Sequence, residues 1–216
     1  MKLVYFVRHG ESTGNAARVL RGPRDSLTLE GERQASFLAR RFQNLDVDLV
    51  ITSDYERARQ TGAIINEALR KPLVENEWFG EKTYPHEISE LLPDDPLRVA
   101  FRTARKENEQ NPEYRYAEGD ESFADLKERG DKALAYLLER PEEKILVVTH
   151  GWFLRVLLSL MMHGDALTND QYLRIWKFFT SKNTGITICE HNEENVAGGW
   201  RMQTWMDHAH LAEPDA

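Results

Sequence analysis

Two short apolar runs, far apart in the chain, each end in His-Gly. Leu3-Val4-Tyr5-Phe6-Val7 leads into Arg8-His9-Gly10, and Ile145-Leu146-Val147-Val148-Thr149 leads into His150-Gly151. Neither run alternates apolar with polar, so each reads as a strand covered on both faces, the pattern of a parallel sheet between helices. In an open α/β sheet, ligands bind just beyond the carboxyl ends of the strands. Two strands that end in His-Gly can therefore bring two imidazoles into one cleft. One such histidine reads as structural; two at matching strand ends do not read as coincidence.

The remaining pattern extends the same architecture. Ala35, Leu38, Ala39 and Phe42 mark one face of a helix that begins near Leu29. Asp48–Ile51 reads as a second strand, and Ser53-Asp54-Tyr55-Glu56 reads as a capping box that starts a helix at Ser53. That helix carries Ala58, Thr61, Ile64, Ile65 and Leu69 and stops before Pro72; residues 71–75 offer a short edge strand. Ser122-Phe123-Ala124-Asp125 opens a helix to about Glu139, and a further helix spans Trp152–His163. Ile186–Cys189 and Trp200–Trp205 read as two late antiparallel strands. The expected fold is a three-layer α/β/α sandwich with a mostly parallel central sheet. A single domain over residues 1–216 is expected. From about Glu77 to Glu121 the alternation breaks, with Pro85, Pro93, Pro96, Pro112 and much charge. This stretch is expected as an insertion, with one helix near Leu97–Lys106, lying over the sheet as a lid or side wall.

Charge and cysteine content narrow the setting. The net charge of −8 argues against a general nucleic-acid surface, but not against a small anion held by a local arginine cluster. Cys189 is the single cysteine, so no intrachain disulfide can form, and its place in an apolar run makes it strand core. The apolar stretch from Trp152 to Met162 is too short to span a bilayer and contains Arg155. With a strand already at the N-terminus and no cleavable signal, the expectation is a soluble cytoplasmic protein with no membrane or nucleic-acid partner. Assembly into a homo-oligomer is left open.

The segment Arg8-His9-Gly10-Glu11-Ser12-Thr13-Gly14-Asn15 has neither GxGxxG spacing nor a Gly-Lys-Ser/Thr ending, which excludes dinucleotide and P-loop readings. It offers a cation, an imidazole, small residues and an amide, which suit an oxyanion with several oxygens such as a phosphoryl group. Arg57, in the first turn of the helix after Ser53, adds a cation where backbone N–H groups also favour an anion.

Arg8-His9-Gly10-Glu11, residues 53–61 (Ser-Asp-Tyr-Glu-Arg-Ala-Arg-Gln-Thr) and Thr149-His150-Gly151 resemble the three signatures of the histidine phosphatase superfamily, in its phosphoglycerate-mutase-like branch. Residues 27–35 resemble the segment that leads into that family's first helix, and the four segments occur in the family's order. The resemblance implies that His9 is the nucleophile of a phosphohistidine mechanism, with Arg8, Arg57 and His150 around the phosphoryl oxygens. A neutral imidazole is a competent nucleophile near pH 7, provided a carbonyl fixes the tautomer through its other nitrogen. Phosphoryl transfer needs positioning and charge neutralisation above all, so such a cationic pocket can work without metal or cofactor. Asn15 would add a neutral donor. Arg21 and Gly22, with Arg18, lie where relatives contact substrate, and Arg21 could meet a second anionic group.

The family takes the leaving-group proton from a glutamate after the third strand. Asn76 occupies the position of the common pattern, and the segment resembles a Glu-x-x-x-Pro-x-Glu variant seen in some relatives. That makes Glu81 the first candidate, Glu77 the second and Glu87 the third. Residues 183–187 and 205–211 resemble the family's late-strand and tail segments, with Met206 where relatives often carry Asn. His208 and His210 are spaced for a metal, yet no cysteine or carboxylate framework accompanies them, so no metal is expected. Trp78, Phe79, Phe101, Trp176, Phe178 and Phe179 are expected in the core. The favoured activity is hydrolysis of a small phosphomonoester. A phosphoglycerate-type mutase and a non-catalytic phospho-ligand-binding domain are the alternatives. The short acidic tail at 213–216, which would repel a polyanionic intermediate, favours the phosphatase.

Overall fold

The apolar runs form strands whose alternate residues feed two separate cores. The computed structural model describes residues 1–195 and 199–212; the tail at 213–216 lies outside them. In chain order the elements are β1 (Lys2–Arg8), α1 (Thr13–Ala17), α2 (Leu29–Phe42), β2 (Leu49–Thr52), α3 (Glu56–Leu69) and β3 (Leu73–Glu75). They continue with α4 (Pro96–Glu107), α5 (Phe123–Glu139), β4 (Lys144–Thr149), α6 (Gly151–His163), α7 (Asn169–Phe178), β5 (Ile186–His191) and β6 (Trp200–Asp207). Short 3₁₀ turns punctuate the loops, two of them between β3 and α4.

The sheet order is β3-β2-β4-β1-β5-β6. β1 to β4 pair in parallel, while β5 joins β1 and β6 joins β5 antiparallel. Strand side chains alternate between faces. Val4, Phe6, Leu49, Ile51, Ile145 and Val147 therefore pack with α5, α6 and α7. Val7, Val50, Leu146 and Val148 pack on the other face with Leu38, Phe42, Ala58 and Ile65 of α2 and α3. This is the expected three-layer sandwich, with the two late strands antiparallel and Cys189 buried in β5.

Local chemistry explains where expectation and structure part. Ser53 does not cap α3. Its hydroxyl accepts from the Tyr55 amide and pairs with His150, and the helix N-cap is Tyr55, with no side-chain cap. The first helical amides of α3 are satisfied from a distant loop instead: Glu56 N donates to Pro23 O and Arg57 N to Asp25 O. The glycine-containing segment after His9 closes into the short helix α1, boxed by Ser12 and Asn15. α7 is an element the apolar periodicity did not reveal, although Thr168 and Gln171 form a capping box at its start. Phe79 and Phe101 are core, and Trp78 and Trp176 pack against it. Phe178 is 80% exposed at the end of α7, contrary to expectation. No helix among the described residues is long and apolar enough to cross a membrane.

Candidate active site

Three neighbouring strands, β2, β4 and β1, end in a row, and a polar side chain follows each. Ser53, His150 and His9 follow Thr52, Thr149 and Arg8. The ladder holds them level through Ser53 N to Val148 O and His9 N to Thr149 O. β4 lies between the other two, so His150 sits between Ser53 and His9. Its Nε2 is 2.8 Å from Ser53 Oγ, and its ring centroid is 5.0 Å from that of His9. Tyr55 closes the other side, its ring edge-on to His150 at 4.9 Å. Both histidines are buried.

His9 is held in one tautomer. Nδ1 lies 2.7 Å from the Gly10 carbonyl, so it carries the proton and donates. Nε2 then presents its lone pair and accepts from Arg57 Nε at 3.1 Å. Burial lowers the His9 pKa well below the ordinary imidazole value, and the nearby Arg57 and Arg8 lower it further. His150 is shifted the same way, by burial first and then by Arg57 and His9. Its Nδ1 is buried without a hydrogen-bond partner among the described residues.

The cations around this pair are anchored by the fold. Arg8 donates Nη1 to the carbonyl and hydroxyl of Ser181, while its Nε is buried and unpartnered among the described residues. Burial lowers its pKa to about 10, against the opposing influence of Glu81, so it stays charged at neutral pH. Arg57 donates Nη1 to the Gly22 carbonyl and lies 3.8 Å from the Asp25 carboxylate. Asp25 also accepts from Thr13 Oγ1 and Gly14 N, tying α1 to the same cluster. Arg155, one turn into α6, donates to the carbonyls of Gly151, Trp176 and Phe179.

Glu81 reaches the start of α6. Its carboxylate accepts from Phe153 N at 3.1 Å and Trp152 N at 3.3 Å, and from Lys82 N at 3.0 Å. The N-cap of α6 is His150, which makes no side-chain cap, so Glu81 supplies from another loop the acceptor that the first helical amides lack. Glu77 and Glu87 are exposed, and neither lines the cavity.

A cavity of about 210 Å³ opens here, lined by Arg8, His9, Asn15, Arg21, Arg57 and Glu81 among others. The structure thus brings together six of the residues singled out from sequence. Asn15 Oδ1 is fixed by Ser12 N and Asn183 Nδ2, and its amide nitrogen has no partner among the described residues. Arg21 donates to Thr13 Oγ1. His150 and Gly22 do not line the cavity: His150 backs His9, and Gly22 acts through its carbonyl on Arg57. Arg18 is exposed at the end of α1.

Asp25, Arg155 and Ser181 belong to the site and were not singled out from sequence. Arg155 had a readable signal, four residues beyond the second His-Gly and hence one helical turn along. His208 and His210 turn to different partners, the Met206 carbonyl and Thr184 Oγ1. Among the described residues, no three His, Cys, Asp or Glu side chains are grouped to hold a metal ion.

The chain is similar to known proteins over nearly its whole length. The profile of the histidine phosphatase superfamily (branch 1) matches residues 4–208. Proteins named probable phosphoglycerate mutase GpmB are 33% identical over 217 aligned positions in Yersinia enterocolitica and in Serratia proteamaculans. In both cases the match covers 99% of this chain and 97% of theirs. Among solved structures, the alpha-ribazole phosphatase of Shigella flexneri superposes with a TM-score of 0.79 at 20% identity, covering 95% of this chain and 96% of its own. The phosphoserine phosphatase of Entamoeba histolytica superposes with a TM-score of 0.75 at 20% identity, covering 98% and 100%.

Proposed function

The chain belongs to branch 1 of the histidine phosphatase superfamily, and from that premise we propose that it hydrolyses a phosphomonoester through a phosphohistidine on His9. The observation that carries this reading is the tautomer of His9, with Nδ1–H held by the Gly10 carbonyl and the Nε2 lone pair turned to the cationic cavity. In the first step, Nε2 attacks phosphorus as the ester P–O bond breaks, and a proton that arrives with the phosphomonoester passes through the Glu81 carboxyl to the leaving oxygen. Water then attacks phosphorus, the Glu81 carboxylate takes a proton from it, and the P–N bond breaks to return neutral His9 with inorganic phosphate. Arg57 must leave Nε2 when the phosphoryl group arrives, and its guanidinium then meets phosphoryl oxygens together with Arg8. Ser53 Oγ fixes the His150 ring beside His9 through Nε2, so His150 positions the nucleophile. Charge neutralisation by arginine supports a reaction without metal.

A phosphoglycerate-type mutase is the second reading, favoured by the whole-chain identity to proteins named as such. It shares the first half-reaction and differs in what receives the phosphoryl group.

Rapid acid-free quenching during turnover of a ³²P-labelled phosphomonoester tests the mechanism. Acid-labile, base-stable label on His9 is expected, with none in His9→Ala. Label on Ser12 or on an aspartate overturns it. Full activity in excess chelator is expected as well, and loss that a divalent ion restores would count against a metal-free site. Inorganic phosphate as product, rather than a rearranged ester, separates the phosphatase from the mutase.

A further inference from the structure

A second, larger cavity of about 320 Å³ adjoins the phosphate cavity, and Leu20, Tyr84 and Trp152 line both. Its other walls come from α4, α5 and α7. We propose that this cavity receives the leaving group of the phosphomonoester, and that this group is an alcohol bearing a planar aromatic ring system. The inference rests on the phosphatase reading for the phosphate end alone.

The lining is built from ring faces and edges. Trp152 and Trp176 lie 4.8 Å apart between centroids, Tyr84 meets Trp152 edge-on at 6.2 Å, and Phe123 stacks on Tyr172 at 5.0 Å. Such walls favour offset or edge-to-face contact with another ring. The volume is at the lower end of small-molecule sites, which run from roughly 300 to 1,000 Å³. A glycerate or a serine moiety on the phosphate would leave most of it empty.

Four of the five lining cations have partners within the protein. Arg98 donates to the Arg18 and Leu91 carbonyls, Arg102 to the Pro93 carbonyl, and Arg105 forks onto Asp120, while Lys177 pairs with Glu109. Each of these cations ties one nitrogen of its side chain to an acceptor of the protein itself. Their positive field still draws a phosphate dianion toward the cleft. One buried donor of the lining is unsatisfied among the described residues. The indole N–H of Trp176 is buried without a partner among the described residues, an arrangement that costs free energy until an acceptor arrives. A heteroatom in or on the ring supplies that acceptor.

Two primary alkyl phosphates of similar leaving-group basicity, ethyl phosphate and 2-(naphthyl)ethyl phosphate, test the idea on the whole protein. The ring should raise kcat/KM by about 10- to 100-fold, as burial of one large apolar group allows. Leu173→Trp, which fills the cavity from α7, should return the ratio of the two rates toward one. Equal rates in the wild type overturn the cavity assignment and leave the phosphatase reading intact, whether or not the variant folds. Should neither ester turn over, the phosphatase reading fails, and titration of the free alcohol 2-(naphthyl)ethanol against tryptophan fluorescence decides the cavity. Saturable binding by wild type that Leu173→Trp loses supports the proposal, and no binding overturns it.

Discussion

Arg57 donates its Nε–H to Nε2 of His9 at 3.1 Å, on the nitrogen opposite the one held by the Gly10 carbonyl. In the proposed mechanism one arginine therefore marks the reactive lone pair, fixes the tautomer and waits at the point where the phosphoryl charge will develop. Removing it should reveal all three roles.

Arg57→Ala should lower kcat about 10²–10³-fold, with a smaller rise in KM, because the guanidinium meets charge that grows in the transition state. Arg8→Ala should behave alike. Steady-state kinetics on one phosphomonoester decide this, and an ordinary kcat in either variant would place that residue outside the reacting geometry.

Glu81→Gln should slow an alkyl phosphate by about 10²–10⁴-fold and a nitrophenyl phosphate far less, since an aryl leaving group hardly needs a proton. Glu77→Gln and Glu87→Gln, both at exposed positions, should leave the ratio of the two rates unchanged. The cap on α6 gives a second readout. The amide introduced by Glu81→Gln keeps one carbonyl acceptor but brings no charge to the helix N-terminus, so Tm should fall modestly. A selective loss of alkyl turnover in Glu77→Gln instead would reassign the proton donor.

Burial, reinforced by Arg57 and Arg8, keeps His9 neutral well below its ordinary pKa of 6.5. The acid limb of kcat/KM should therefore lie below pH 6.5. The same shift links to stability. His9, His150 and His210, the last pushed down to about 4 by burial, stay unprotonated in the folded state while the unfolded chain takes up protons below about pH 6.5. Stability should hold above that pH and fall as pH drops through 6.5 toward 5, by about 1.4 kcal/mol per pH unit for each proton taken up only on unfolding. Melting curves between pH 7.5 and 5 read the slope, and His210→Gln should flatten it. An unchanged slope in that variant would remove His210 from the account.

A Cβ on Gly151 would stand 2.4 Å from Ser181 Oγ and 3.1 Å from Arg8 Nε. Gly151→Ala should push the Arg8 side chain off its Ser181 anchor. A displacement near 1 Å at a positioning group can cost about 10²-fold in rate, so kcat should fall sharply while the fold persists. Wild-type turnover in this variant would show that Arg8 tolerates the move.

Much of this architecture was legible because strand burial is written in continuous apolar runs. β1, β2 and β4 show it, and their carboxyl ends mark the cleft. Arg8, His9 and Arg57 were legible for the same reason, since each lies at such an end or a few residues beyond it. The contributions that escaped come through side chains and carbonyls from elsewhere in the chain. Ser181 anchors Arg8 from the loop before β5, and the carbonyls of Pro23 and Asp25 cap α3 from the loop after α1. Ser53 looked like a cap because its spacing to Glu56 fits one. Its hydroxyl instead serves His150, a residue that sequence spacing cannot place beside it. Phe178 misled in the opposite way: its ring reads as core, yet it sits at the last turn of α7, past the buried face.

The parallel ladder pairs Leu3 with Lys144 through to Arg8 with Thr149 without a break. A slip of two residues would keep every apolar side chain on its own face, since strand side chains repeat in twos. It would also slide one imidazole about 7 Å past the other, at roughly 3.3 Å per residue. Turnover is thus a vernier for strand alignment. In a refolding experiment, circular dichroism would count any sheet that has closed, whereas recovered catalysis would count only the molecules whose first and fourth strands met in step.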